Sequence, residues 1–120
     1  MCNYQLLVKN ENGYLIRCTS CKKVKLVFGT MDINLSLPDL ELVYSSVKFE
    51  HQYCRKGHSE FAKCYHIALT GQVAIILNWN ELETLKEMLN TALNLIDLYS
   101  VLEVDTEEDE QFSEDNFQED

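Results

Sequence analysis

Two stretches of this chain lie over one another when it is shifted by 42 residues: KVKLVFGTMDINLSLPDLELVYSSV, from Lys23, and YHIALTGQVAIILNWNELETLKEML, from Tyr65. Gly29 falls on Gly71, Leu35 on Leu77, Leu40 on Leu82 and Glu41 on Glu83. An internal repeat restricts the fold, because each copy must be read as the same supersecondary unit. Here the unit reads as strand, tight turn, strand, helix. In Gly29-Thr30 and Gly71-Gln72, glycine in the first central position supplies the positive φ of a two-residue hairpin. The turn at Gly29 sets Phe28 against Met31, Leu26 against Ile33 and Val24 against Leu35 on one apolar face. Val27 and Asp32, then Lys25 and Asn34, pair on the other. The same geometry at Gly71 pairs Ala68 with Ile75 on one face, and Leu69 with Ala74 and Ile67 with Ile76 on the other. Both faces are apolar, so this second hairpin is expected at the centre of a sheet.

Each helix opens with one device. Ser36 and Asn78 are placed as N-caps, with Asp39 and Glu81 three residues on as reciprocal partners. Helix one is expected over residues 37–50, with Leu40, Val43 and Val47 inward. Helix two is expected over 79–102, with Leu82, Leu85, Leu89, Ala92, Ile96 and Tyr99 inward. Leu95, Leu98, Val101 and Leu102 widen its apolar surface, which reads as burial against helix one and the N-terminal strands. Before the first unit, YQLLVK, NENG and YLIR form another hairpin, with Asn12-Gly13 in the turn. The predicted class is α+β: an antiparallel sheet of about six strands with two helices on one face. The domain spans 1–102, with repeat units at about 23–50 and 65–102.

Charge is unevenly placed. The net charge is −10, yet residues 1–102 carry ten acids and ten bases, while 103–120 carry ten acids and no base. The segment EVDTEEDEQFSEDNFQED is expected to be a disordered, solvating tail, since it has little apolar surface to offset the entropy of ordering. A neutral body with such a tail argues against nucleic acid. No apolar run is long enough to span a membrane, and the N-terminus has no signal-peptide pattern. The expected compartment is therefore the cytoplasm, where five cysteines argue for thiols rather than a disulfide framework.

The chemistry concentrates at IRCTSCKK. Cys18 and Cys21 sit between two strands, where a thioredoxin-like pair would open a helix. A strand–CxxC–strand turn has the shape of a zinc knuckle, although the usual proline inside and glycine after the pair are missing. Structural zinc needs four ligands. The linker HQYCRKGHSEFAKCYH supplies candidates: Cys54 and His58 complete the preferred set, with His51, Cys64 and His66 as substitutes. Two bland alternatives stand beside it, unligated thiols and a hydrogen-bonded core histidine at His66. A redox pair at Cys18 and Cys21 is the third reading. Lys22, Lys23, Lys25, Arg55, Lys56 and Lys63 are placed to form a basic face near the thiols. No phosphate-cradling glycine loop and no Ser-His-Asp arrangement occurs, which argues against an enzyme.

The segment CTSCKKVKLVFGT, followed by a short strand and a capped helix, resembles a small family of uncharacterised proteins from Bacteroidetes-type bacteria. The resemblance covers residues 14–50 well. It implies a bacterial cytoplasmic protein and marks Cys18, Cys21, Phe28 and Gly29 as a unit. The functional expectation is a non-enzymatic binding or adaptor domain with one structural zinc as candidate cofactor, acting on a protein partner as a monomer or homodimer. The alternative is a thiol redox or regulatory protein working through Cys18 and Cys21.

Overall fold

The chain opens with β1 (Tyr4–Asn10) and β2 (Gly13–Cys18) in the computed structural model, which describes residues 3–53, 63 and 65–102. Asn10 shapes this hairpin. Its Oδ1 accepts hydrogen bonds from the backbone N–H of Asn12 at 2.8 Å and of Gly13 at 3.2 Å, the side-chain-to-backbone bonding of an Asx turn. Gly13 was expected in the turn but is a strand residue, paired with Asn10 on one side and Phe28 on the other. Close approach of β3 explains the glycine: a Cβ at this position would collide with the Val27 carbonyl oxygen. A register shift between Leu6 and Val8 bends β1, so that Leu7 enters the core with Val8 packed beside it.

β3 (Val24–Phe28) and β4 (Met31–Leu35) pair in the expected register: Phe28 with Met31, Leu26 with Ile33, Val24 with Leu35. Gly29 has φ 61°, as the tight turn requires. The four strands form one sheet in the order β1-β2-β3-β4. Ser36 Oγ accepts from the Asp39 N–H at 3.3 Å and starts α1 (Leu37–Tyr53), which runs beyond the expected residue 50. Leu40, Val43 and Val47 are buried, on the expected face. A reciprocal capping box starts α2 (Trp79–Leu102). The Asn78 N–H donates to Glu81 Oε1 at 2.9 Å, and the Glu81 N–H donates to Asn78 Oδ1 at 2.8 Å. α2 packs against β1 and β2, while α1 packs against α2 and β4.

The second hairpin departs from expectation. β5 (Tyr65–Ala68) and β6 (Ala74–Leu77) form a separate two-stranded sheet, so one sheet of six strands becomes four plus two. Their register is one residue away from the expected one: Tyr65 pairs with Leu77, His66 with Ile76, Ile67 with Ile75 and Ala68 with Ala74. The connection is a five-residue loop rather than a two-residue turn. The Leu69 N–H reaches the Val73 carbonyl at 2.8 Å, and Thr70 Oγ1 accepts from the Gln72 N–H at 3.2 Å. That loop needs no left-handed residue at Gly71, and Gly71 has none. A slip of one exchanges the faces of a strand. Tyr65, Ile67 and Leu77 are buried, whereas His66, Ala68, Ala74 and Ile76 point outward and are exposed. Among the described residues no further strand flanks the hairpin, as one would flank a central pair. Burial follows the 42-residue offset at Leu35/Leu77, Leu40/Leu82, Val43/Leu85 and Val47/Leu89, but β5 is out of step with β3.

The core gathers the inner faces of both sheets and the inward stripes of both helices. Leu82, Leu85, Leu89, Ala92 and Ile96 are buried as expected, with Tyr99 packed at the margin. Leu98, Val101 and Leu102 are exposed instead of buried. At 100° per residue they lie on the far side of α2 from Ile96. No helix among the described residues is long and apolar enough to cross a membrane.

Candidate functional site

Cys18 ends β2, and the chain then folds back on itself before β3. The Lys22 N–H bonds to the Cys18 carbonyl at 2.9 Å, and the Cys18 N–H bonds to the Lys23 carbonyl at 2.9 Å. The Cys21 N–H points at Cys18 Sγ from 3.4 Å. Lys22 has φ 68°, a conformation glycine takes without penalty and other residues adopt at roughly 1–2 kcal/mol. The turn thus has an N–H aimed at the first sulfur and a left-handed residue after the second cysteine, although neither proline nor glycine is present. The residue before β1 braces it: the Thr19 N–H and Oγ1 both donate to the Asn3 carbonyl, at 2.9 and 3.2 Å.

The two sulfurs differ. Cys18 is buried, on the face of the sheet opposite Arg17, and is disulfide-bonded. Cys21 is exposed and keeps a reduced thiol, so the partner of Cys18 lies outside the described residues. This runs against the expectation of thiols throughout. A sulfur in a disulfide is not a thiolate ligand, so ligation through Cys18 would belong to the reduced form of the same turn.

Of the linker candidates, Cys54, His58 and Cys64 lie outside the described residues, as do Arg55, Lys56 and the acidic tail. His51 is described. It stacks on Trp79 with ring centroids 4.8 Å apart and meets Glu83 Oε2 at 3.3 Å through Nε2. Trp79 in turn meets the edge of Tyr65 at 5.5 Å. His51 in the last turn of α1 meets Trp79 and Glu83, which share a face at the start of α2. His66 is exposed on the outer face of β5, not in the core. Among the described residues, no group of three or more His, Cys, Asp or Glu is placed to hold a metal. The basic face is partly paired: Lys25 with Asp32 at 3.5 Å, and Lys63 with Glu81 at 2.9 Å. Burial works against the charge of Glu81, but the Asn78 N–H and the Lys63 ammonium outweigh it and lower its pKa below 4.5.

Two features escaped the sequence reading. Arg17 is buried, with its Nη2 donating to Gln5 Oε1 at 3.0 Å. Strand alternation carried the signal, since Arg17 shares the inner face of β2 with Leu15. The other is a second apolar stripe on α1. Leu42, Phe49 and Tyr53 are 66%, 59% and 63% exposed, and their spacing is helical. Leu42 and Phe49, with Ser45, Ser46 and Glu50, form one wall of a shallow groove of about 550 Å³; His66 and Ala68 form the other. A second hollow of about 330 Å³ continues it past Leu42, Ser46 and Ala68 to the β5–β6 loop.

A family model described as "Family of unknown function (DUF6686)" matches residues 1–110. No curated protein and no solved structure matches the chain.

Proposed function

The chain belongs to this family of unknown function, so its role must be read from its own residues, and we propose that it is a non-enzymatic binding domain that docks a protein partner on α1 and the second hairpin. The carrying observation is the groove between Leu42 and Phe49 on α1 and Ala68 on β5. Contiguous apolar side chains left exposed in this way commonly mark a surface that another molecule covers. Ala68, Ala74 and Ile76 extend the same surface over the outer face of the hairpin. The bacterial source and the role of CTSC as a family signature belong to this proposal, on the strength of CTSCKKVKLVFGT alone. So does a cytoplasmic setting. The test uses Leu42→Asp and Phe49→Asp. Both sites are exposed, so melting temperature should change little, while a partner that wild-type protein retains from cells of its own source should be lost. Retention of the same partner by both variants would remove the groove from the account.

Zinc remains part of the reading on two grounds: the Cys21 N–H directed at Cys18 Sγ and the left-handed Lys22, which suit a knuckle. With Cys54 and His58 as further ligands, zinc binding would add to stability. Elemental analysis of reduced protein should then find one zinc per chain, and a strong chelator should lower the melting temperature. An unchanged melting point without metal would end this part of the proposal.

The thiol reading has an observation of its own, the disulfide at Cys18 three residues from the reduced Cys21. In an exchange, the Cys21 thiolate attacks Cys18 Sγ, a Cys18–Cys21 bond forms, and the former partner leaves as a thiolate. No outside oxidant is needed. Disulfide mapping of acid-quenched wild-type protein should find both pairings, and Cys21→Ser only one. A single pairing in wild type at neutral pH sinks the exchange.

A further inference from the structure

The outer edge of β5 borders the groove and carries backbone groups that β6 does not use. The Leu69 N–H bonds to the Val73 carbonyl at 2.8 Å, which fixes the phase of the ladder. Along an antiparallel pair, hydrogen-bonded and non-bonded positions alternate. Ile67 with Ile75 is therefore a bonded pair, while His66 with Ile76 and Ala68 with Ala74 are non-bonded ones. The N–H and C=O groups of His66 and Ala68 thus point away from β6. Among the described residues no strand lies on that side. Both residues line the groove, across from Leu42, Ser45, Ser46 and Phe49 of α1. A row of backbone donors and acceptors along a strand edge is a template for another strand, whereas a partner helix would leave it unpaired.

Helix α1 supplies the second half of the surface. Leu42, Ser46, Phe49 and Tyr53 follow at spacings of four, three and four, a stripe about a quarter turn from the buried Val43 and Val47. Leu42 and Phe49 stand at equal distances on either side of Ser45-Ser46, two small side chains. That arrangement is its own complement. In an antiparallel pair of α1 helices crossing at the serines, Leu42 of each copy meets Phe49 of the other. The strand edge is its own complement too. With a two-fold axis at Ile67, His66 of each copy lies opposite Ala68 of the other, and the two pairs exchange four backbone hydrogen bonds. A two-fold interface requires this reciprocity; an unrelated partner does not. One axis serves strand and helix together, because His66, Ala68 and both serines line one hollow.

We infer that the chain forms a two-fold homodimer in which β5 pairs antiparallel with β5 of a second copy, so that the two hairpins make one four-stranded sheet over a pair of α1 helices. The inference rests on the docking surface proposed above and names its occupant. A four-residue strand and three large side chains make a small interface beside the roughly 800 Å² per partner of a standard complex. The dissociation constant is therefore expected on the order of tens of micromolar.

Sedimentation of the full-length protein is followed from about 1 to about 500 μM at roughly 0.15 M salt, where a Debye length of about 8 Å screens the acidic charge of the two chains. Wild type should pass from monomer to dimer. Two proline variants separate the edges. Ala68→Pro and Ala74→Pro each remove an N–H that the hairpin does not use, a position where a strand tolerates proline. Ala68→Pro should weaken the dimer about thirtyfold, since symmetry removes two hydrogen bonds. Ala74→Pro, on the opposite edge, should leave it unchanged. Phe49→Asp, at an exposed helix position, should leave only monomer. In a mixture of isotope-labelled and unlabelled wild type, a filtered NOE should join Ile67 Hα of the two copies, which face one another at a non-bonded pair. That contact needs no variant, so it decides the matter even where Ala68→Pro does not fold. A wild type that stays monomeric throughout overturns the inference and leaves the groove to a partner of another sequence, which the aspartate variants test separately. A dimer that survives Ala68→Pro, is lost in Ala74→Pro, or lacks the Ile67 contact overturns it as well.

Discussion

Lys22 and the glycines make the residue scale unusually easy to test. The backbone at Lys22 has φ 68°, so Lys22→Gly should raise the unfolding free energy by roughly 0.5–1 kcal/mol, the strain relieved less the extra entropy of the unfolded chain. A loss of stability in chemical denaturation would mean that the lysine side chain itself holds the turn. Three glycines should respond in a definite order to substitution by alanine. A Cβ added at Gly13 would collide with the Val27 carbonyl, so the strands must part and the loss should be about 2 kcal/mol or more. Gly29 has open space but φ 61°, for an expected loss of about 1 kcal/mol. Gly71 has open space and an ordinary φ, so Gly71→Ala should be neutral or slightly stabilising, by a few tenths of a kcal/mol. A large loss at Gly71 would restore the two-residue turn that the repeat suggested.

Among the elements, the start of α2 is the best-defined unit. Asn78→Ala removes one half of its capping box and should cost about 1 kcal/mol. Glu81 is the other half, and its folded pKa lies below 4.5. A depressed carboxyl pKa gives stability that is fully present above the unfolded value and is lost as pH falls through the folded value. Melting-temperature differences between wild type and Glu81→Gln should therefore be constant from neutral pH down to the ordinary carboxylate range and vanish in stronger acid. A difference that grew on acidification would contradict the assignment. The sequence foresaw both helices, their caps and the β3–β4 register, because local chemistry fixes these: a cap, a two-residue glycine turn, period-two and period-3.6 patterns. It misplaced the second hairpin because Thr70 and Val73 close a longer loop, and because Ile67, Ala68, Ala74, Ile75 and Ile76 are all apolar, which leaves His66 alone to mark the outer face. The knuckle-like shape of CTSCK was legible only in part, since Lys22 occupies a position where glycine is the usual signal. The burial of Arg17 was missed, although strand alternation sets it on one face with the buried Leu15.

The whole molecule has an enclosed core and an apolar strip on its surface. One face of each sheet and both helices enclose the core, and the second hairpin turns an apolar outer face outward. Two-stranded sheets are marginal alone, so β5 and β6 depend on their packing against α1 and α2. The acidic segment from 103 to 120, read from composition, should add nothing to this core. Deleting residues 104–120 should leave the melting temperature nearly unchanged. A marked drop would show that the segment packs on the body.

The most direct test of the docking surface is a photo-crosslinking residue installed at Ser46, on the wall of the groove, with Asn34 on the four-stranded sheet as the comparison site. Illumination in cells should join position 46 to one discrete protein and leave position 34 without that adduct. No adduct at position 46, or the same adduct at both sites, would contradict a binding surface on α1 and the second hairpin.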